Sequence, residues 1–251
     1  MMLAAMAPTV LLLHGFTNTG ASWDPVIAAL GERYRALAPD IRGHGSASTV
    51  RPVTLATVIE DVAGLAPERF TLAGYSQGAR IAVHAALALS ARVERLVLIG
   101  ASPGIADPAE RAERRAADDR LAGEIEAESI EEFATRWAAT PVLASQPAEI
   151  RAAAHADRLR STPRGLAEAL RGLGTGVLPS LWERLGELDM PVTLIVGERD
   201  EKFRAMAERM GRELPRSELV IVPEAGHAVH LEAPARVAAE IARGDSGAPA
   251  H

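Results

Sequence analysis

Ser76 sits in Gly74-Tyr75-Ser76-Gln77-Gly78, a G-x-S-x-G arrangement in which an apolar run ends and a helical pattern begins. A serine on so tight a strand-to-helix turn needs glycine on both sides, because the bent backbone and the neighbouring chains leave no room for side chains. Its hydroxyl then projects from the end of the strand, where it can serve as a nucleophile or a base. Alone it is poor at either task, and needs a histidine within hydrogen-bond reach that is itself held by a carboxylate. Among seven histidines, His227 has the right setting: it ends Pro223-Glu224-Ala225-Gly226-His227, a loop directly after the last apolar run. His230 is read as the start of the closing helix, His84 as a helix residue, His155 as part of an inserted segment and His251 as tail. His14 and His44 lie in loops where a structural role is expected. The carboxylate should follow the preceding apolar run, which leads into Gly197-Glu198-Arg199-Asp200. Asp200 is the choice, Glu198 the fallback, and Asp189 precedes the run and so falls at its wrong end. Charge developing on an oxygen beside Ser76 needs preorganised donors. The backbone N–H groups of Gln77, at the helix start, and Phe16, in the turn His14-Gly15-Phe16, are the candidates.

These residues can meet only if the chain brings several strand ends to one edge. Short apolar runs at 10–13, 35–38, 70–73, 95–99, 192–196 and 218–222 alternate with helical patterns at 23–33, 55–65, 78–90, 203–214 and 234–242. That alternation is the signature of a parallel sheet with crossover helices. It breaks once. Between Ile99 and Pro191 no convincing strand occurs, and Ala-, Arg- and Glu-rich helical stretches are punctuated at Pro141, Pro147, Pro163 and Pro179. The expected architecture is α/β: an α/β-hydrolase fold with a mostly parallel sheet, flanking helices and an inserted helical cap. Residues 1–100 and 190–243 form the core and 101–189 the cap, while the Gly-, Ser-, Pro- and Ala-rich tail 244–251 is expected to be disordered. The chain order Ser76, Asp200, His227 is the order of α/β-hydrolases.

The 251 residues carry 27 basic and 33 acidic side chains, a formal charge of −6, and the length suits one large domain. Net negative charge argues against nucleic acid, whose phosphates are held by Lys and Arg. With no cysteine, disulfides, thiolate catalysis and Cys-ligated zinc are excluded. No H-E-x-x-H or similar metal spacing occurs, so no metal is expected. The run Gly172-Leu173-Gly174-Thr175-Gly176 follows no strand and contains no nucleotide-binding lysine motif, which leaves it a weak candidate for phosphate binding. The apolar start lacks the basic residues of a signal peptide, and no apolar run nears the roughly 20 residues that span a bilayer. A cytoplasmic protein without membrane attachment is expected, as a monomer or small homo-oligomer. Lys202 is the single lysine among the 27 basic residues, so an individual arginine needs positional support before it counts as a ligand.

The elbow with Arg80 and several cap segments resemble the 2-succinyl-6-hydroxy-2,4-cyclohexadiene-1-carboxylate synthases of menaquinone biosynthesis. The matching pieces are Leu13-His14-Gly15-Phe16, Gly74 to Arg80, Ala101-Ser102-Pro103-Gly104, Gly172-Leu173-Gly174-Thr175-Gly176 with Pro179-Ser180-Leu181-Trp182, Gly197-Glu198-Arg199-Asp200-Glu201-Lys202-Phe203, and Gly226-His227-Ala228-Val229-His230. They span nearly the whole chain, and the cap pieces and G-E-x-D-x-K-F are the most particular. Ala79 departs from the family, which usually has a second glycine there. The resemblance implies a lyase that eliminates pyruvate from 2-succinyl-5-enolpyruvyl-6-hydroxy-3-cyclohexene-1-carboxylate, with no cofactor and a polycarboxylate as small-molecule partner. It further implies substrate-binding roles for Arg80, Arg114, Tyr75 and Trp137, and for either Arg158 or Arg160. The alternatives are a carboxylesterase or related serine hydrolase that forms an acyl-enzyme on the same triad, and a non-catalytic binding module, against which the intact Ser76, Asp200 and His227 argue.

Overall fold

Along the first strand the side chains alternate between two cores: Leu11 and Leu13 join one apolar cluster and Val10 and Leu12 the other. A strand buried on both faces reads as a continuous apolar run, as expected for a parallel sheet covered by helices. The computed structural model describes residues 7–140, 143 and 146–243. Six parallel strands lie in the order β2-β1-β3-β4-β5-β6: β1 Thr9–Leu13, β2 Arg35–Leu37, β3 Phe70–Tyr75, β4 Val93–Ile99, β5 Val192–Gly197 and β6 Ser217–Val222. Helices α2 Leu55–Leu65, α3 Gln77–Ala88 and α8 Glu201–Glu213 pack on one face. Helices α1 Asp24–Leu30 and α10 Pro234–Ala242 pack on the other. All six expected strands are present, within two residues at each end. The expected helix at 23–33 is shorter: α1 is flanked by 3-10 turns at Gly20–Trp23 and Gly31–Arg33, with Gly31 at φ 66 ending the α-helix.

Between β4 and β5 run α4 Pro108–Ala127, α5 Ile130–Ala138, α6 Ala148–Arg158 and α7 Pro163–Leu173. Three of the prolines mark boundaries for physical reasons. Pro163 occupies the first turn of α7, where no N–H is required, behind the capping Thr162; Pro147 precedes α6; and Pro179 lies in the loop after α7. Pro141, like the tail 244–251, lies outside the described residues. Ile125, Phe133, Leu166 and Leu170 form a small core between these helices. Within the expected cap, Ala169 and Leu173 of α7 and then Leu181, Leu185 and Leu188 pack into the core beside the sheet. Trp182 stacks there on Arg209 of α8. The glycine-rich run proves to be a packing device: a Cβ on Gly172 would fall 1.9 Å from the carbonyl oxygen of Val53, and one on Gly176 would fall 2.3 Å from the nitrogen of Arg115.

Chain direction sets the place of the site. From β1 the chain moves outward to β2, then returns to β3 on the other side of β1. The loops after β1 and β3 therefore diverge at the carboxyl edge, leaving the crevice in which ligands of open α/β sheets bind.

Candidate active site

Ser76 joins β3 to α3 with φ 51 and ψ −108, a backbone conformation that non-glycine residues hold only when their surroundings enforce it. Here the enforcement is contact: a Cβ on Gly78 would sit 2.2 Å from the carbonyl oxygen of Leu13, so α3 starts hard against β1. The Ser76 N–H donates to Ile99 O at 2.8 Å. Gln77 opens α3, so its N–H belongs to the first-turn donors that lack a carbonyl partner within the helix.

His227 follows β6 and is buried. Its Nε2 lies 3.2 Å from Ser76 Oγ, and its Nδ1 lies 2.6 Å from Asp200 Oδ2. The other Asp200 oxygen accepts from the Phe203 N–H at 3.4 Å, capping α8. One carboxylate thus fixes both a helix start and the imidazole. Glu198, the fallback acid, does neither; it accepts from the Glu224 N–H at 2.9 Å and braces the loop before His227. Glu232, in α9 Val229–Glu232, accepts from the N–H groups of Gly226 at 2.6 Å and Ala228 at 3.2 Å, on either side of His227. An imidazole held in this way can take the Ser76 proton while Asp200 stabilises the cation that forms.

Of the other histidines, His14, His44 and His230 are buried. His14 Nε2 accepts from the Ile41 N–H at 2.9 Å, and burial lowers its pKa. His44 and His230 are fully buried, and desolvation pushes each down to about 3. His230 packs between Tyr75 and Trp23.

Ser76 and His227 lie where two hollows meet. The larger, about 1160 Å³, is lined by Phe16, Gln77, Arg80, Arg114, Trp137, Lys202 and Phe203 among others. The smaller, about 450 Å³, is lined by Thr17, Asn18, Tyr75, Gln146 and Arg158 among others. Phe16 and Trp137, edge to face with ring centroids 5.3 Å apart, contribute to both. Arg80 Nε has no hydrogen-bond partner; burial and the neighbouring Arg114 pull its pKa down to about 10, which leaves it charged at neutral pH. Arg114 is half exposed and bonded to Asp118 at 2.7 Å. Arg158 is buried, donates from Nε to Thr17 Oγ1 at 3.2 Å, and keeps Nη1 unpartnered.

Of the expected binding residues, Tyr75, Arg80, Arg114, Trp137 and Arg158 come together at these hollows, with Phe16 and Gln77. Arg160 does not: it lies past the end of α6, is exposed, and faces an outer groove with Ala21, Pro25 and Ala153. Two contributors were not foreseen. Lys202 lines the larger hollow, and the available signal was its place two residues after Asp200, the lone lysine in the sequence. Gly100, at φ 56, lets β4 end directly against His227: a Cβ there would lie 2.7 Å from the imidazole Cε1.

A serine elbow after the third strand, an acid after the fifth and a histidine after the sixth, under helices inserted between the fourth and fifth, define the α/β-hydrolase class. The model of the alpha/beta hydrolase family matches residues 10–240. A putative 2-succinyl-6-hydroxy-2,4-cyclohexadiene-1-carboxylate synthase of Bacillus subtilis is 40% identical over 237 residues, covering 90% of this chain and 85% of its own. The synthase of that name from Salmonella paratyphi A is 34% identical, covering 94% and 93%. The solved structure of MenH from S. aureus superposes with a TM-score of 0.91 at 28% identity, covering 97% and 96%. The chain belongs, within the α/β hydrolases, to the 2-succinyl-6-hydroxy-2,4-cyclohexadiene-1-carboxylate synthase family.

Proposed function

We propose that this enzyme is a carbon–oxygen lyase of menaquinone biosynthesis that eliminates pyruvate from 2-succinyl-5-enolpyruvyl-6-hydroxy-3-cyclohexene-1-carboxylate. The observation that carries the reading is the setting of Ser76 and His227 between cationic walls, with Arg80, Arg114 and Lys202 in one hollow and Arg158 in the other. A neutral ester has no use for four cations, whereas a tricarboxylate does, and guanidinium groups bind carboxylates through paired hydrogen bonds.

The change from a 3-ene to a 2,4-diene specifies the electron flow. The ring carbon that bears the succinyl group loses its proton, which is acidic because the succinyl carbonyl is adjacent. The 3,4 double bond shifts, and the C–O bond to the enolpyruvyl group breaks, so that group departs with the bonding pair and takes up a proton to become pyruvate. Ser76, deprotonated by His227, is the base; His227, oriented by Asp200, carries the proton. The carbonyl oxygen gains charge as the ring proton leaves, and the N–H groups of Phe16 and Gln77 stabilise it there. Tyr75 and Trp137 wall the ring. The same triad would suit ester hydrolysis through an acyl-enzyme, so the two activities are compared directly.

The test measures pyruvate release from the tricarboxylate and hydrolysis of p-nitrophenyl acetate by wild type, Ser76→Ala and Arg80→Ala. The expected result is rapid pyruvate release by wild type and a loss of at least about 100-fold in kcat for Ser76→Ala. Arg80→Ala should lose roughly 10- to 150-fold in kcat/KM on the tricarboxylate, the range for a lost charge-assisted hydrogen bond, with little change on the ester. Near-normal elimination by a folded Ser76→Ala variant, or equal effects of Arg80→Ala on both substrates, would overturn the reading.

A further inference from the structure

The loop after β1 carries Phe16 and continues through Thr17, whose φ is 70, to Thr19. It is gripped on two sides. From the core, Asp40 accepts from the Gly20 N–H at 2.7 Å and from the N–H and hydroxyl of Ser46, each at 2.7 Å. From the cap, Asp157, in the last turn of α6, accepts from the Thr19 N–H at 2.9 Å, from Asn18 Nδ2 at 3.4 Å and from the Thr19 hydroxyl in a very short contact. Next to it, Arg158 holds Thr17 Oγ1. The loop immediately after Phe16 is therefore shaped by a carboxylate belonging to the inserted helices.

A backbone donor aids catalysis only if it stays aimed at the oxygen that gains charge, and a misplacement of about 1 Å costs up to about 100-fold. Within the loop one turn bond, from the Asn18 N–H to Gly15 O at 3.1 Å, brackets Phe16; its Asn18 end is the part that Asp157 holds, and Thr17 inside it adopts a backbone conformation that a relaxed threonine avoids. We propose that Asp157 is a positioning residue: by holding Asn18 and Thr19 it sets the Phe16 N–H, so that the oxyanion donor is in place only while α6 is docked. This rests on the reading of Phe16 as a donor. It makes cap closure a condition for chemistry as well as for substrate binding.

The experiment compares wild type with Asp157→Ala and Asp157→Asn. It records kcat and KM for the tricarboxylate, kcat for p-nitrophenyl acetate, thermal stability, and deuterium exchange in the peptide covering residues 15–20. Asp157→Ala should lower kcat about 10-fold on both substrates, change KM for the tricarboxylate by less than about threefold, and speed exchange at residues 15–20. Asp157→Asn keeps an acceptor for Thr19 and should fall between the two; it also serves if the alanine variant does not fold. Unchanged exchange at residues 15–20 overturns the proposal, as does a lowered melting temperature with kcat intact, or a rise in KM alone. Absence of wild-type turnover on the tricarboxylate would instead refute the substrate reading, while ester turnover and exchange would still decide the role of Asp157.

Discussion

At the end of β4, Gly100 occupies a left-handed backbone position with the His227 imidazole directly against it. Any side chain here meets two penalties. The backbone conformation costs a non-glycine residue of order 1–3 kcal/mol, and the new Cβ must displace a ring from which it would lie 2.7 Å. Moving that ring disturbs its bonds to both Ser76 and Asp200. Gly100→Ala should therefore lower kcat by at least about 10-fold with modest loss of stability, read by steady-state kinetics beside chemical denaturation. Full activity in a folded variant would show that the imidazole has slack. The sequence disclosed Ser76, Asp200 and His227 because each follows an apolar run and carries chemistry in its own side chain. Gly100 carries none, and a glycine after a strand reads as an ordinary turn. Its role exists only through the approach of a residue more than a hundred positions away.

Helix α6 poses the same problem at the next scale. Arg158 is the last residue of α6, while Arg160 lies in the turn that follows, so the helix orients only the first of them. The inward face is marked by Ala154 and Arg158, the buried residues of α6. Legibility was poor because the helix is rich in alanine, and a face of small side chains gives no apolar stripe by which to orient it. Strands β1, β4, β5 and β6 were easy to read by comparison, since each contains a run of Val, Leu or Ile. Helix α7 has its own apolar face in Leu166, Leu170 and Leu173. Arg158→Ala should lower kcat/KM on the tricarboxylate by roughly 10- to 150-fold, while Arg160→Ala should stay within about twofold. Equal losses would mean that α6 turns on binding substrate.

The whole molecule holds imidazoles in both of its cores, and these set its response to acid. His44 and His230 stay neutral when folded, with pKa values near 3 against an ordinary 6.5. Unfolding frees them to take up protons, so between about pH 6.5 and 3 the unfolded chain binds more protons and stability falls as the pH falls. From pH 7 to pH 5 the loss is about 2 kcal/mol for each residue. Burial lowers His14 and His84 in the same sense, so urea denaturation across that interval should show a loss shared among four imidazoles, of which His230→Phe should remove its own part, about 2 kcal/mol; an unchanged slope would place the acid sensitivity elsewhere. Composition has a further consequence at this scale. The only side-chain amine in the chain belongs to Lys202, exposed on α8 and lining the larger hollow. An acylating or fluorescent amine reagent, which would decorate most proteins at random, has a single lysine to find here, in a hollow that Ser76 also lines. The molecule thus comes with a built-in address for a spectroscopic reporter of that hollow's occupancy.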